Sequence, residues 1–184
     1  MPEEKNENFF TELLKFVIVA ALIVFPIRFF VAQPFIVSGA SMDPTFANGQ
    51  YLIVDELTYH FADPARGDVV IFRYPRNPSE FFIKRIIGLP GEVVSVESGL
   101  VYVTHTDGTK VQLDEPYVVN LGNGGNASYK VTQGDYFVMG DNRPESSDSR
   151  IWGLLPRSNM VGRALLRLLP LHSVSIFPGD AHYN

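Results

Sequence analysis

The chain has 184 residues, enough for one domain with a real core, and at 46% hydrophobic and 19% charged residues it is not a disordered chain. Its formal net charge is −5 and its lysines and arginines are scattered, which argues against a nucleic-acid partner. The absence of cysteine excludes disulfides, thiolate catalysis and cysteine-ligated zinc or iron–sulfur centres, and leaves the compartment open.

In chain order, the first feature is an apolar run over residues 16–27, bounded by Lys15 and Arg28. That run alone is shorter than the ~20 residues a helix needs to cross a bilayer. Its flanks are also mostly apolar, and Lys15 and Arg28 can extend their charged tips to the two interfaces. Residues 9–31 therefore read as one tilted or kinked transmembrane helix, with Pro26 near its end. A cleavable signal peptide is the alternative, and Ser38-Gly39-Ala40 has the small residues of a cut site. The acidic start (Glu3, Glu4, Glu7) and the distance of that site from Ile27 favour the anchor. Lys5 and Lys15 before the span, against Arg28 after it, place the N-terminus in the cytoplasm and the rest of the chain outside.

From Gln33 onward the pattern is short β-runs broken by turns. Strands are predicted at residues 50–54, 68–74, 81–87, 92–96, 100–105, 110–113, 129–131 and 136–139. Glu97-Ser98-Gly99 and Asp107-Gly108 are hairpin turns, and Leu89-Pro90-Gly91 is a stop. Residues 120–126 read as a surface loop, and 163–169 as a strand or a short helix. The expected fold is mainly β. An antiparallel β-sheet catalytic domain (33–184) follows a cytoplasmic tail and one N-terminal transmembrane helix (1–32).

The stretch SGASMDPTF, residues 38–46, puts Ser41 in a turn shortly after the apolar segment. A serine hydroxyl is a poor nucleophile until a base removes its proton. Of the four histidines, only His60 is near Ser41 in sequence; His105, His172 and His182 form no recognisable constellation with it. Lys84 is the better candidate. On a strand it shares a face with Phe82 and Ile86, so its amine projects between apolar neighbours. Burial penalises the charged form and can lower a lysine pKa by up to about 3–5 units from ~10.4, into the working range of a base. Arg85, on the other face, stays protonated and cannot take that part.

Four segments, in order, resemble the bacterial type I signal peptidases. They are Ser41-Met42-Asp43-Pro44-Thr45; residues 66–72 (RGDVVIF); residues 84–92 (KRIIGLPGE); and Gly140-Asp141-Asn142 followed by Ser146, Asp148-Ser149-Arg150 and Trp152-Gly153. The resemblance spans residues 16–153. It implies a membrane-bound serine–lysine endopeptidase that cuts signal peptides from exported preproteins. Ser41 would be the nucleophile and Lys84 the general base. Ser146 would hydrogen-bond the Lys84 amine, with Ser147 as the alternative. Asp141, Asp148, Arg85 and Arg150 would form supporting ion pairs. The Ser41 N–H would hold the oxyanion together with a second donor. Many Gram-negative members carry that donor on a serine where this chain has Gly39, so the Gly39 backbone region or Ser38 would have to supply it. Glu92 stands where the family often has aspartate.

Ile36, Met42 and Ile83 are expected to wall shallow pockets for small substrate side chains, and the substrate is expected to add as a strand. Phe29, Phe30, Phe35 and Phe46 could dip into the lipid interface. The expected partners are preproteins and the lipid bilayer. The chain is expected to act as a monomer, without cofactor, metal or nucleic acid. The competing readings are a cytosolic self-cleaving serine–lysine repressor, a membrane-anchored binding module and a His60-dependent hydrolase.

Overall fold

A computed structural model describes residues 9–26, 32–122, 125–181 and 183. The first element is α1 (Phe9–Pro26). Apart from Thr11, Glu12 and Lys15 its residues are apolar, and the large apolar side chains described on it are exposed, Phe10 at 79% and Leu22 at 69%. At ~1.5 Å rise per residue its 18 residues measure about 27 Å, just under the ~30 Å of a hydrocarbon core. Among the described residues no helix is long and apolar enough to cross a membrane. Residues 27–31, which the expected span includes along with Phe29 and Phe30, lie outside the described residues.

The strands follow as β1 (Ala32–Ile36), β2 (Tyr51–Asp55), β3 (Val69–Tyr74), β4 (Asn77–Gly88), β5 (Val93–Glu97) and β6 (Leu100–Thr104). The second half supplies β7 (Lys110–Gln112), β8 (Ala127–Lys130), β9 (Asp135–Met139), β10 (Leu155–Pro156), β11 (Met160–Leu169) and β12 (Ser175–Ile176). Two short helices, α2 (Thr58–Phe61) and α3 (Ser149–Trp152), interrupt them. The main sheet runs β1-β2-β11-β3-β4-β9-β10, with β12 on β11; a smaller sheet runs β7-β6-β5-β8. The strand pairs are antiparallel, as the run of short strands and tight turns requires.

Period-two alternation explains the packing. On β3, Val69 and Ile71 face a core with Met42, Phe46 and Leu52, while Val70 and Phe72 face another with Ile86, Val138 and Trp152. The smaller sheet shares a third core with the main one: Val94, Val96, Val101 and Val103 pack against Ile87, Phe137 and Met139. The predicted hairpin at residues 97–99 forms as a two-residue turn closed by Glu97 opposite Leu100. Ser98 (φ 51°) and Gly99 (φ 87°) both take the left-handed conformation that such a turn demands.

Each of the eight expected strands is present with ends shifted by a few residues, and β4 starts earlier, at Asn77. Residues 163–169 are strand, not helix, because they pair with both β2 and β3. Strands β1, β10 and β12 are not among the predicted strands. Pro34 is tolerated in β1 because β1 is the sheet's outer strand. Phe46 is no membrane-dipping residue: it is fully buried, packed beneath the Ser41 turn with Met42 and Leu52.

Candidate active site

Ser41 lies on the segment that leaves β1. Val37 is tied to the start of β2 by Val37 N–H to Gln50 O (2.9 Å) and Gly49 N–H to Val37 O (2.8 Å). The chain then makes one helix-like turn, closed by Phe46 N–H to Met42 O at 2.8 Å. Met42 and Phe46 both drop into the core and hold this turn down, leaving Ser41 half-buried at its rim. Met42, expected on a pocket wall, is therefore core: at 1% exposure it packs beside Val37 and Val54 instead.

Lys84 projects from β4, where it pairs with Val70, and is 4% exposed. Its Nζ donates to Ser41 Oγ at 2.6 Å and to Ile83 O at 2.8 Å, and stands 5.4 Å from the centre of the Phe82 ring. Burial pushes the Lys84 pKa down to about 8; Asp148 and Asp141 pull against that, less strongly. The cleft in which the two side chains meet has a volume of about 460 Å³. One wall is residues 35–41 and the other is residues 80–84, with Leu52 and Ile71 at the base and Glu145 and Ser147 on a third side. Ile36 and Ile83 are among its lining residues. Phe35 and Phe81 meet across the strands, ring centres 5.3 Å apart.

Behind the amine are two ion pairs, each on a buried aspartate. Arg85 donates to both oxygens of Asp141 (2.9 and 2.6 Å), and Thr45 Oγ1 adds a third bond to Asp141 at 2.6 Å. Asp148 is fully buried and accepts two bonds from the Arg150 guanidinium (both 2.8 Å), one from the Arg150 N–H (3.2 Å), one from the Gly140 N–H (3.0 Å) and one from Ser146 Oγ (2.7 Å). The Ser146 proton thus goes to Asp148, and the bonds of the Lys84 amine go to Ser41 and Ile83. Ser147 is exposed on the cleft. The Gly39 N–H is already given to Asn48 Oδ1 at 2.9 Å.

The histidines lie elsewhere. His60 Nδ1 is 2.9 Å from Glu56 O beside α2, and His105 Nδ1 is 2.8 Å from Glu92 Oε1. His172 is exposed, and His182 is outside the described residues. Glu92 also pairs with Arg66 at 2.5 Å and accepts the Leu89 N–H at 2.7 Å, so it ties the turn after β4 together.

Sequence reasoning missed two contributions. Gly140 lets the site close, since a Cβ there would overlap Ser146 Oγ and Ser41 O. Thr45 links the Ser41 turn to Asp141. Both belong to segments already singled out, yet nothing local in the sequence says which distant segment each of them meets.

The family model described as signal peptidase, peptidase S26, matches residues 10–169. The chain is 38% identical over 170 residues to a probable signal peptidase I-1 of Synechocystis sp., covering 89% of this chain and 84% of that protein. It is 34% identical over 189 residues to a signal peptidase I of Bacillus licheniformis, covering 95% of this chain and 98% of that protein. Among solved structures, a signal peptidase I of Enterococcus faecalis V583 is 33% identical, with 55% of this chain and 97% of that one covered at a TM-score of 0.47. The chain belongs to the signal peptidase family, peptidase S26. It is accordingly a peptidase.

Proposed function

We propose that this protein is a membrane-anchored serine endopeptidase that cuts signal peptides from exported preproteins, with Ser41 as nucleophile and Lys84 as general base. The observation that carries this reading is the 2.6 Å hydrogen bond between Lys84 Nζ and Ser41 Oγ inside a buried cleft. An amine with a pKa of about 8 is neutral in roughly a tenth of molecules at pH 7. The neutral amine takes the hydroxyl proton as Ser41 Oγ attacks the scissile carbonyl, then returns it to the leaving amine. Water afterwards hydrolyses the acyl-serine, with the same amine as base.

In this reading the Ser41 N–H is one donor to the oxyanion. With the Gly39 N–H engaged by Asn48, Ser38, whose exposed side chain lines the cleft, is the favoured second donor. Ser146 supports the site through Asp148, and the Arg85–Asp141 and Arg150–Asp148 pairs hold the walls.

Residues up to Lys84 on β4 pair with β3 on one side, while pairing with β9 begins at Arg85. An extended substrate can add along that open side, opposite residues 35–41. Ile36 and Ile83 then limit the pockets to small side chains. The anchor reading of residues 9–31, and with it the division into 1–32 and 33–184, draws support from the uncovered apolar surface of α1. Holding enzyme and precursor in one bilayer, with the catalytic domain on the extracytoplasmic side of the plasma membrane, raises their effective concentration. A single chain supplies the complete site, consistent with a monomer.

The test is to incubate the purified chain with a model preprotein and sequence the new N-terminus. One cut after a small residue at the end of the signal peptide is expected. No cut, or a cut after a large side chain, would overturn the reading.

A further inference from the structure

The C-terminal tail lies past residue 169, where the family match ends, yet it reaches both the Ser41 turn and the strand that carries Lys84. After β12 the tail is fastened to β11 by the Phe177 N–H, which donates to Leu165 O at 2.7 Å. Gly179 then arrives between two elements. On one side its carbonyl accepts from Arg85 Nη1, on the residue next to Lys84. On the other side it lies against the Ser41 turn: a Cβ at Gly179 would come within 2.6 Å of Thr45 Cγ2 and 2.9 Å of Phe46 Cε2. Its φ of +78° also suits glycine and strains any other residue. Beyond it, Ala181 O closes on Gly67, and the Tyr183 hydroxyl bonds to that of Tyr117, whose ring stacks 3.8 Å beneath the Arg85 guanidinium.

We infer that residues 177–181 and Tyr183 act as a clamp that positions the reaction, with Gly179 locking the Ser41 turn to the Lys84 strand and Tyr183 locking the Tyr117–Arg85 stack. The inference rests on the reading of Ser41 and Lys84 as the reacting pair. Gly179 and Tyr183 are positioning residues: neither lines the cleft, and both act through Arg85 and Thr45, which share Asp141. The clamp has two consequences. It keeps the hydroxyl and amine in register, and a small misplacement of such a pair costs rate steeply. It also keeps the amine's surroundings dry and Asp141 neutralised. The charges around Lys84 are Asp148, held by Arg150, and Asp141, held by Arg85; Glu80 and Glu145 line the same cleft. Loosening the tail admits water and frees part of the Asp141 charge, and both effects raise the affinity of the amine for its proton.

The experiment compares Gly179→Ala and Tyr183→Phe in the full chain, with Val174→Ser, an exposed tail residue away from the clamp, as control. Two quantities are read: preprotein cleavage, and the titration midpoint of Lys84 followed without substrate by its 13Cε resonance, assigned through its loss in Lys84→Met. In Gly179→Ala, kcat should fall about tenfold with KM within about twofold, and the amine midpoint should rise by about half a pH unit. Tyr183→Phe should move both in the same direction by less, and decides the matter if Gly179→Ala does not fold. Parent-like kcat and midpoint in both variants would overturn the clamp, as would an equal change in Val174→Ser. If the parent itself cuts no preprotein, the proposed function fails, and the amine midpoints alone still decide whether the tail governs Lys84.

Discussion

Arg85 grips Asp141 through two parallel hydrogen bonds of 2.9 and 2.6 Å, one residue along β4 from the Lys84 amine and on the opposite face of the strand. Both side chains are almost fully removed from water. Removing one partner leaves an uncompensated buried charge. Asp141→Ala should therefore cost ~3–5 kcal/mol, and thermal unfolding should show it as a drop of about ten degrees. Arg85→Lys keeps the charge but loses the fork geometry and the stack on Tyr117, and should fall between the two. An Asp141→Ala protein as stable as the parent would show that this pair does not hold the site together.

Ser41→Ala and Lys84→Ala should each reduce preprotein cleavage by at least about a thousandfold while leaving the folded state intact, since each removes a group that acts only in the chemical step. His60→Ala should be silent, because His60 engages Glu56 O and does not line the cleft. Steady-state cleavage with matched circular-dichroism spectra separates these outcomes.

The lowered pKa of Lys84 has consequences for both activity and stability. If Lys84 is the base, as proposed, it acts only when neutral, so kcat/KM should rise with pH and level off above about 8. The folded pKa lies below the unfolded value of 10.5, so the unfolded chain binds more protons between them. The stability penalty from burying this amine is therefore complete below about pH 8 and is relieved as pH rises toward the unfolded value. Lys84→Met should unfold a few degrees higher than the parent at pH 7, with the gain shrinking by pH 10, while cleavage is abolished. A gain that did not depend on pH would mean the amine is not the source of the cost.

Gly140→Ala tests the close approach of three segments. The new methyl would press on Ser41 O and Ser146 Oγ, backbone on one side and the tightly bonded Ser146 on the other. We expect kcat to fall by about a hundredfold, with substrate binding little changed, because Ser41 moves away from an amine that stays on β4. Ser146→Ala combined with Gly140→Ala should recover part of the loss by freeing space. Additive losses in the double variant would exclude this steric account.

Much of this molecule could be read along the chain. Alternation and turn residues are local signals, so most strands of both sheets and the hairpin at Ser98-Gly99 are legible in the sequence, whereas the edge strands β1, β10 and β12 are not. Lys84 is legible too, because apolar neighbours at a spacing of two mark a face turned inward. Apolarity, however, does not say what covers a side chain. Phe46 reads as a lipid-facing residue and Met42 as a pocket wall, and only packing under the Ser41 turn makes both of them core. Local signals also stop at the strand's end. The 2.6 Å contact joins residues 43 positions apart and Arg85 meets the tail 94 positions on. Such pairings depend on register between strands and on which surfaces close over one another, and these are settled together when the whole chain folds. The Lys84 pKa belongs with them, since burial lowers it only where the assembled walls keep water away.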